Sequence, residues 1–138
     1  MSATQTRQIF VNLPVKDLTK TVDFFTKLGF EFDPKFTDEN ATCLIINDNA
    51  FAMLLVEDFF KKFIKKDVCN TTTHAEAICA LSAESRDQVD EIVDKALAAG
   101  GRPANDPMDE GFMYARIFED LDGHLWEILY MDPNAMEQ

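Results

Sequence analysis

One order of elements, strand, helix, strand, strand, strand, can be read twice along this chain, and such a duplication limits the fold more than any bulk property does. The first copy opens at 8–13 (Gln-Ile-Phe-Val-Asn-Leu), a strand that Pro14 is expected to close because proline cannot donate to a ladder. A helix follows. Asp17 is its N-cap, Leu18, Val22, Phe25 and Leu28 recur at helical spacing, and Gly29 suits the left-handed position after the last turn. Strands at 30–32, 41–46 and 50–56 come next, with Asp33-Pro34 and Asn47-Asp48-Asn49 as their turns.

The second copy begins with a strand at 74–82, after a polar linker at 70–73. Ser85 and Gln88 form a capping box ahead of Val89, Ile92, Val93, Ala96 and Leu97, and Gly100-Gly101 stops that helix. Strands near 102–104, 112–118 and 124–131 complete it, with turns at Asn105-Asp106-Pro107 and Asp122-Gly123. Gly29 and Gly100 lie 71 residues apart, and the strands at 50–56 and 124–130 lie 74 apart, so the repeat resides in element order and punctuation. The fold class is therefore α+β: two βαβββ modules that form a curved, partly open mixed β-barrel with helices outside. Module 1 spans about 8–56 and module 2 about 74–131 of a single domain over 1–138. Between them, 57–66 carries Phe59, Phe60, Phe63 and Ile64 among lysines and reads as a short amphipathic helix over the sheet or at a chain interface.

Charge and apolar runs exclude several functions. Thirteen Lys and Arg against 25 Asp and Glu leave a net charge of −12, which repels phosphate backbones and anionic lipid surfaces. Nucleic-acid binding is not expected. The longest apolar run, Ala50 to Val56, falls far short of the roughly 20 residues a membrane helix needs, and no secretory signal is legible at the start. The reading is cytoplasmic. Cys43, Cys69 and Cys79 lack metal-type spacing and read as small buried hydrophobes in a reducing compartment. There is no phosphate-cradling glycine loop, nucleophile elbow or useful Cys-His spacing.

Several segments are shared with a known family: Val11-Asn-Leu-Pro-Val-Lys-Asp-Leu with Phe24-Phe25 and Leu28-Gly29-Phe30; Ala80-Leu-Ser-Ala leading to Ala99-Gly100-Gly101; and Asp122-Gly123-His-Leu-Trp-Glu127. In these the chain resembles the vicinal oxygen chelate superfamily of glyoxalase I, extradiol dioxygenases, fosfomycin-resistance enzymes and bleomycin-binding proteins. The resemblance implies a metal-assisted lyase or dioxygenase, a homodimer, and a small organic ligand bound in the barrel cavity. It also implies a divalent metal, Fe, Mn, Ni or Zn, held by four His, Glu or Gln ligands on the first and last strands of each module. Glu127 matches the last of these ligands, whereas the other positions fall on Phe10, Met53 and Ile78. Three of the four expected ligands are thus replaced by side chains that suit a hard cation poorly.

A slip of two residues keeps a strand's face, so His74 and Glu76, which precede Ile78, could join Glu127 in a displaced metal set. Without metal, Glu127 is a cavity carboxylate that could act as a general base, pair with Arg116, or hydrogen-bond Asn12 or Tyr114. Phe10, Asn12, Met53, Ile78, Tyr114 and Arg116 are accordingly the expected substrate-binding residues. Met53, Met113 and Phe51 read as pocket wall or core, and His124 as a turn-flanking side chain. Two alternatives remain: a metal-free protein that sequesters a hydrophobic or aromatic compound, and an interaction module docking through Phe59, Phe60 and Phe63.

Overall fold

The structure, a computed structural model, describes residues 6–134, and the chain divides into two compact units that meet at Val68 and Cys69. In the first unit, β1 (Ile9–Val15) leads to α1 (Leu18–Lys27), β2 (Glu31–Asp33), a 3-10 turn at Pro34–Phe36, β3 (Ala41–Asn47) and β4 (Ala50–Val56). The sheet order is β1-β4-β3-β2, with β1 parallel to β4 and the other pairs antiparallel. Asp17 caps α1 as expected, its Oδ1 accepting from the Lys20 N–H at 3.1 Å. Thr21, Phe24 and Phe25 are the buried face of that helix. Register partners Leu13 and Leu54, with Ala52 and Leu44 beside them, form the helix-side layer of the sheet and are at most 3% exposed.

Two local expectations are corrected here. β1 does not stop at Pro14 but runs through it to Val15, because β1 is the edge strand of this sheet, where a missing donor is tolerated. The segment read as a helix over 57–66 is α2 (Glu57–Phe60) followed by a 3-10 turn at Lys61–Phe63. Val56, at its N-cap, offers no side-chain cap, and Ile64 is already extended, so nothing sustains a longer helix.

The second unit repeats the order with β5 (Ile78–Ser82), α3 (Arg86–Ala98), β6 (Arg102–Pro103), β7 (Met108–Asp109), β8 (Met113–Glu119) and β9 (Leu125–Met131). Its path is β5-β9-β8-β6, again first strand parallel to last, with the unforeseen β7 paired to β8. Neither sheet closes on itself among the described residues. Ser85 Oγ accepts from the Gln88 N–H at 3.0 Å, but Gln88 Oε1 returns to the N–H of Glu84 rather than to that of Ser85. α3 buries Val89, Val93 and Ala96, and Phe118, Trp126 and Ile128 are each 1% exposed. β5 is shorter than 74–82 because Asn70 organises a turn, its carbonyl taking the N–H groups of Thr73 and His74.

β7 is fastened to α3 by Arg86, which donates to both oxygens of Asp109 at 3.1 and 2.7 Å and to the Gly111 carbonyl at 3.2 Å, and lies 4.9 Å from the Tyr114 ring centroid. Arg86, with the Gly111 N–H, holds the Asp109 carboxyl down to about 2. Its unfolded value is about 3.9. The folded value is the lower one, so the contribution is complete above about pH 4 and disappears as pH falls through about 2. The urea midpoints of the parent protein and Asp109→Asn should therefore differ at pH 5 and converge by pH 2; a gap that stays constant refutes the assignment.

Candidate functional site

Strand register sorts the family-matched positions by face, since directly paired residues project to one side of a sheet. In the first unit Phe10 pairs with Phe51, and Asn12 with Met53, which also faces Cys43. All belong to the face opposite the Leu13–Leu54 layer that α1 covers. Phe10 and Phe51 stack with centroids 4.9 Å apart and planes at 14°, and Phe10 is 44% exposed. Asn12 is exposed beside them, its Nδ2 donating to the Phe10 carbonyl at 3.3 Å. The outcome is an aromatic and thioether wall with one amide at its edge.

In the second unit, Glu127 pairs with Ala80 on one side and Ile117 on the other, while Ile78 pairs with Leu125. These residues lie opposite Trp126 and Ile128, which are sealed on the helix side. Glu127 is half-buried, neither bathed in solvent on the helix side nor enclosed. The strand that carries it is apolar on both faces, so composition alone does not set its facing.

Phe10, Asn12 and Met53 therefore share one open face, and Ile78 and Glu127 share the other. Tyr114 and Arg116 do not join them. They pair with Tyr130 and Ile128 on the helix side, where Tyr114 donates to Asp90 Oδ1 at 2.6 Å. Arg116 donates to Asp90 and Asp94 at 2.9 and 3.0 Å. Tyr114 and Arg116 together hold the Asp90 carboxyl below its usual range. Expecting these two in the substrate site is thus corrected: they clamp α3 to its sheet. The signal was available, because acids at i and i+4 on a helix offer one patch to a strand's i, i+2 pair.

The displaced metal set does not form either. His74 and Glu76 precede β5 in irregular backbone, so the two-residue slip has no strand to act on. His74 Nδ1 bonds Thr73 Oγ1 at 2.7 Å, and Glu76 Oε1 is bonded to Nδ1 of His124. Among the described residues, no three His, Cys, Asp or Glu side chains are grouped so as to hold a metal ion. With Phe10, Met53 and Ile78 at the remaining positions, the residues present do not fit the chelated cation that the resemblance implies.

His124 is more than a turn-flanking side chain. It is 3% exposed, and its N–H groups anchor on both sides: the ring on Glu76 and the backbone on Asp120 Oδ1 at 3.0 Å. Asp120, itself 4% exposed, also takes the Asp122 N–H at 2.9 Å and Trp126 Nε1–H at 2.9 Å; burial pushes its carboxyl up, against the pull of His124 and these donors. Cys43 is buried, but Cys69 and Cys79 are part-exposed rather than core residues. Burial raises all three thiols, and Asp33, Glu76 or Asp120 raise them further, so none is poised as a nucleophile. Phe59 and Phe63 meet edge to face at 5.2 Å, with Phe63 68% exposed.

No helix among the described residues is long and apolar enough to cross a membrane. Comparison with known proteins agrees with the module order. A hypothetical protein from S. aureus is 24% identical over 92% of this chain and 95% of its own, with a TM-score of 0.78. The bleomycin resistance determinant encoded on the transposon Tn5 is 18% identical over 92% and 99%, with a TM-score of 0.63. A genomically encoded fosfomycin resistance protein from Listeria monocytogenes is 18% identical over 97% and 98%, also with a TM-score of 0.63. At these identities the likeness is one of fold. No match was found among curated protein sequences. A family profile, however, matches residues 7–128, and on that extent the chain belongs to the Glyoxalase/Bleomycin resistance protein/Dioxygenase superfamily.

Proposed function

We propose that this chain binds a small, largely apolar organic ligand on the open face of its first sheet without a resident metal, as a sequestering or resistance-type protein would. One observation carries the reading: the family's ligand positions hold Phe10, Met53 and Ile78, leaving Glu127 as a lone carboxylate among apolar neighbours. The stacked Phe10 and Phe51 supply a flat wall for an aromatic or alicyclic body. Met53 adapts its thioether to an irregular outline. On that face Asn12 supplies one of the few polar anchors a mostly apolar site uses for orientation; on the open face of the second unit, the Glu127 carboxylate can accept a hydrogen bond from an amine or hydroxyl. Among the described residues, lyase or dioxygenase chemistry by way of a chelated cation has no donor set.

Two measurements test this. Elemental analysis of protein purified without chelator should find metal well below one equivalent; a stoichiometric metal that Glu127→Gln removes overturns the reading. A thermal-shift screen of aromatic compounds should yield ligands whose affinity falls at least about tenfold in Met53→Trp. Hits indifferent to Met53→Trp would place the ligand elsewhere.

A further inference from the structure

We propose a second small-molecule site in the first unit, on the helix side of its sheet: the groove between α1 and the loop joining β2 to β3 takes an alkylammonium ligand, an amine on a short hydrocarbon chain. The groove has a volume of about 420 Å³ and is lined by Leu18, Thr19 and Val22 from α1 and by Thr37, Asp38, Glu39 and Thr42. That size is within the range of small-molecule pockets. It is separate from the open face, because Thr42 pairs with Leu54 in the layer beneath α1.

The two walls ask for different chemistry. Leu18 and Val22, one helical turn apart, are half-buried and leave hydrocarbon facing the groove. Opposite them the groove offers acceptors. The Thr37 hydroxyl spends its hydrogen on the Asp33 carbonyl at 2.7 Å, so in its 2.9 Å contact with Thr42 it must accept. Thr37 has no hydrogen left to give a ligand. Asp38 takes the N–H groups of Asn40 and Ala41 on Oδ1 at 2.7 and 3.1 Å, and both Asp38 and Glu39 beside it are exposed. The seven lining residues include two carboxylates and no lysine or arginine.

An occupant must therefore bring donors and positive charge at one end and hydrocarbon at the other. A bare cation would leave Leu18 and Val22 wet, and a carboxylate or phosphate would meet two like charges. The acceptor wall is also preformed: besides the Asp38 side-chain bonds, the Asp38 N–H donates to the Ala41 carbonyl at 2.9 Å and the Val56 N–H to the Asn40 carbonyl at 2.9 Å. A ligand pays little to order that loop.

The test uses 1-aminopentane, with 1-pentanol and pentanoate as controls, followed by amide NMR shifts in the full chain at low ionic strength. The amine should give saturable shifts centred on Val22, Thr37 and Glu39, and neither control should do so. The double substitution Asp38→Asn with Glu39→Gln, which keeps the loop's acceptor oxygens, should weaken binding of the amine at least about tenfold. Thr19→Trp, at an exposed position, should block it by filling the groove. Met53→Trp should leave it unchanged, which separates this site from the one proposed on the open face. Shifts scattered over the acidic surface without saturation, or binding that survives Thr19→Trp, would overturn the proposal.

Discussion

Trp126→Ala should cost about 4–5 kcal/mol of stability, because it empties a large buried volume and removes a donor from a buried acid together. Trp126 is 1% exposed and pairs across the sheet with Phe118, also 1% exposed, under α3. Its Nε1–H serves Asp120 Oδ2 at 2.9 Å. Trp126→Phe separates the two contributions. It keeps most of the ring, and Asp120 still holds the N–H groups of Asp122 and His124, so its cost should be about 1–2 kcal/mol. Because Trp126 is the only tryptophan, urea unfolding of these variants is followed by circular dichroism. An alanine variant within about 1.5 kcal/mol of the parent would contradict this description of the core.

Gly123→Ala carries the second large effect. Gly123 has φ +80°, where an L side chain is strained, and a Cβ there would stand 2.6 Å from Thr71 Oγ1 and 2.9 Å from Thr71 Cβ. Thr71 cannot simply step aside, since its hydroxyl donates to the Asp122 carbonyl at 2.5 Å and ties the 70–77 segment to this turn. The expected cost is about 2–4 kcal/mol, summing backbone strain and displacement of Thr71. Gly29→Ala is the control: its φ is +103°, yet nothing lies within 4 Å of the added carbon. Only backbone strain of about 1–2 kcal/mol is expected there. Equal costs at the two glycines would show that Thr71 yields freely.

The same residues show how far the sequence reaches. Caps at Asp17 and Ser85, left-handed glycines after both helices, and apolar spacing along α1 and α3 are local signals, and each was recovered in the folded chain. The facing of the candidate residues was legible only in part. Phe10, Asn12, Met53, Ile78 and Glu127 share their faces as strand periodicity allows, but Tyr114 and Arg116, on an equally periodic strand, belong to the helix side. Periodicity fixes which residues of one strand go together. It does not say which set a helix will cover.

His74 and Glu76 failed for a different reason: the turn at Asn70 ends regular backbone before β5 begins, and Glu76 is taken by His124, 48 residues away in sequence. Short-range propensity, hydrophobic rhythm and punctuation thus sufficed to establish a doubled βαβββ chain with an acid at 127, because those signals act within a few residues of where they are written. The β7 strand, the Asp90–Arg116–Asp94 clamp and the buried His124 needed the tertiary structure, since each depends on partners brought together from distant segments whose pairing no local pattern encodes.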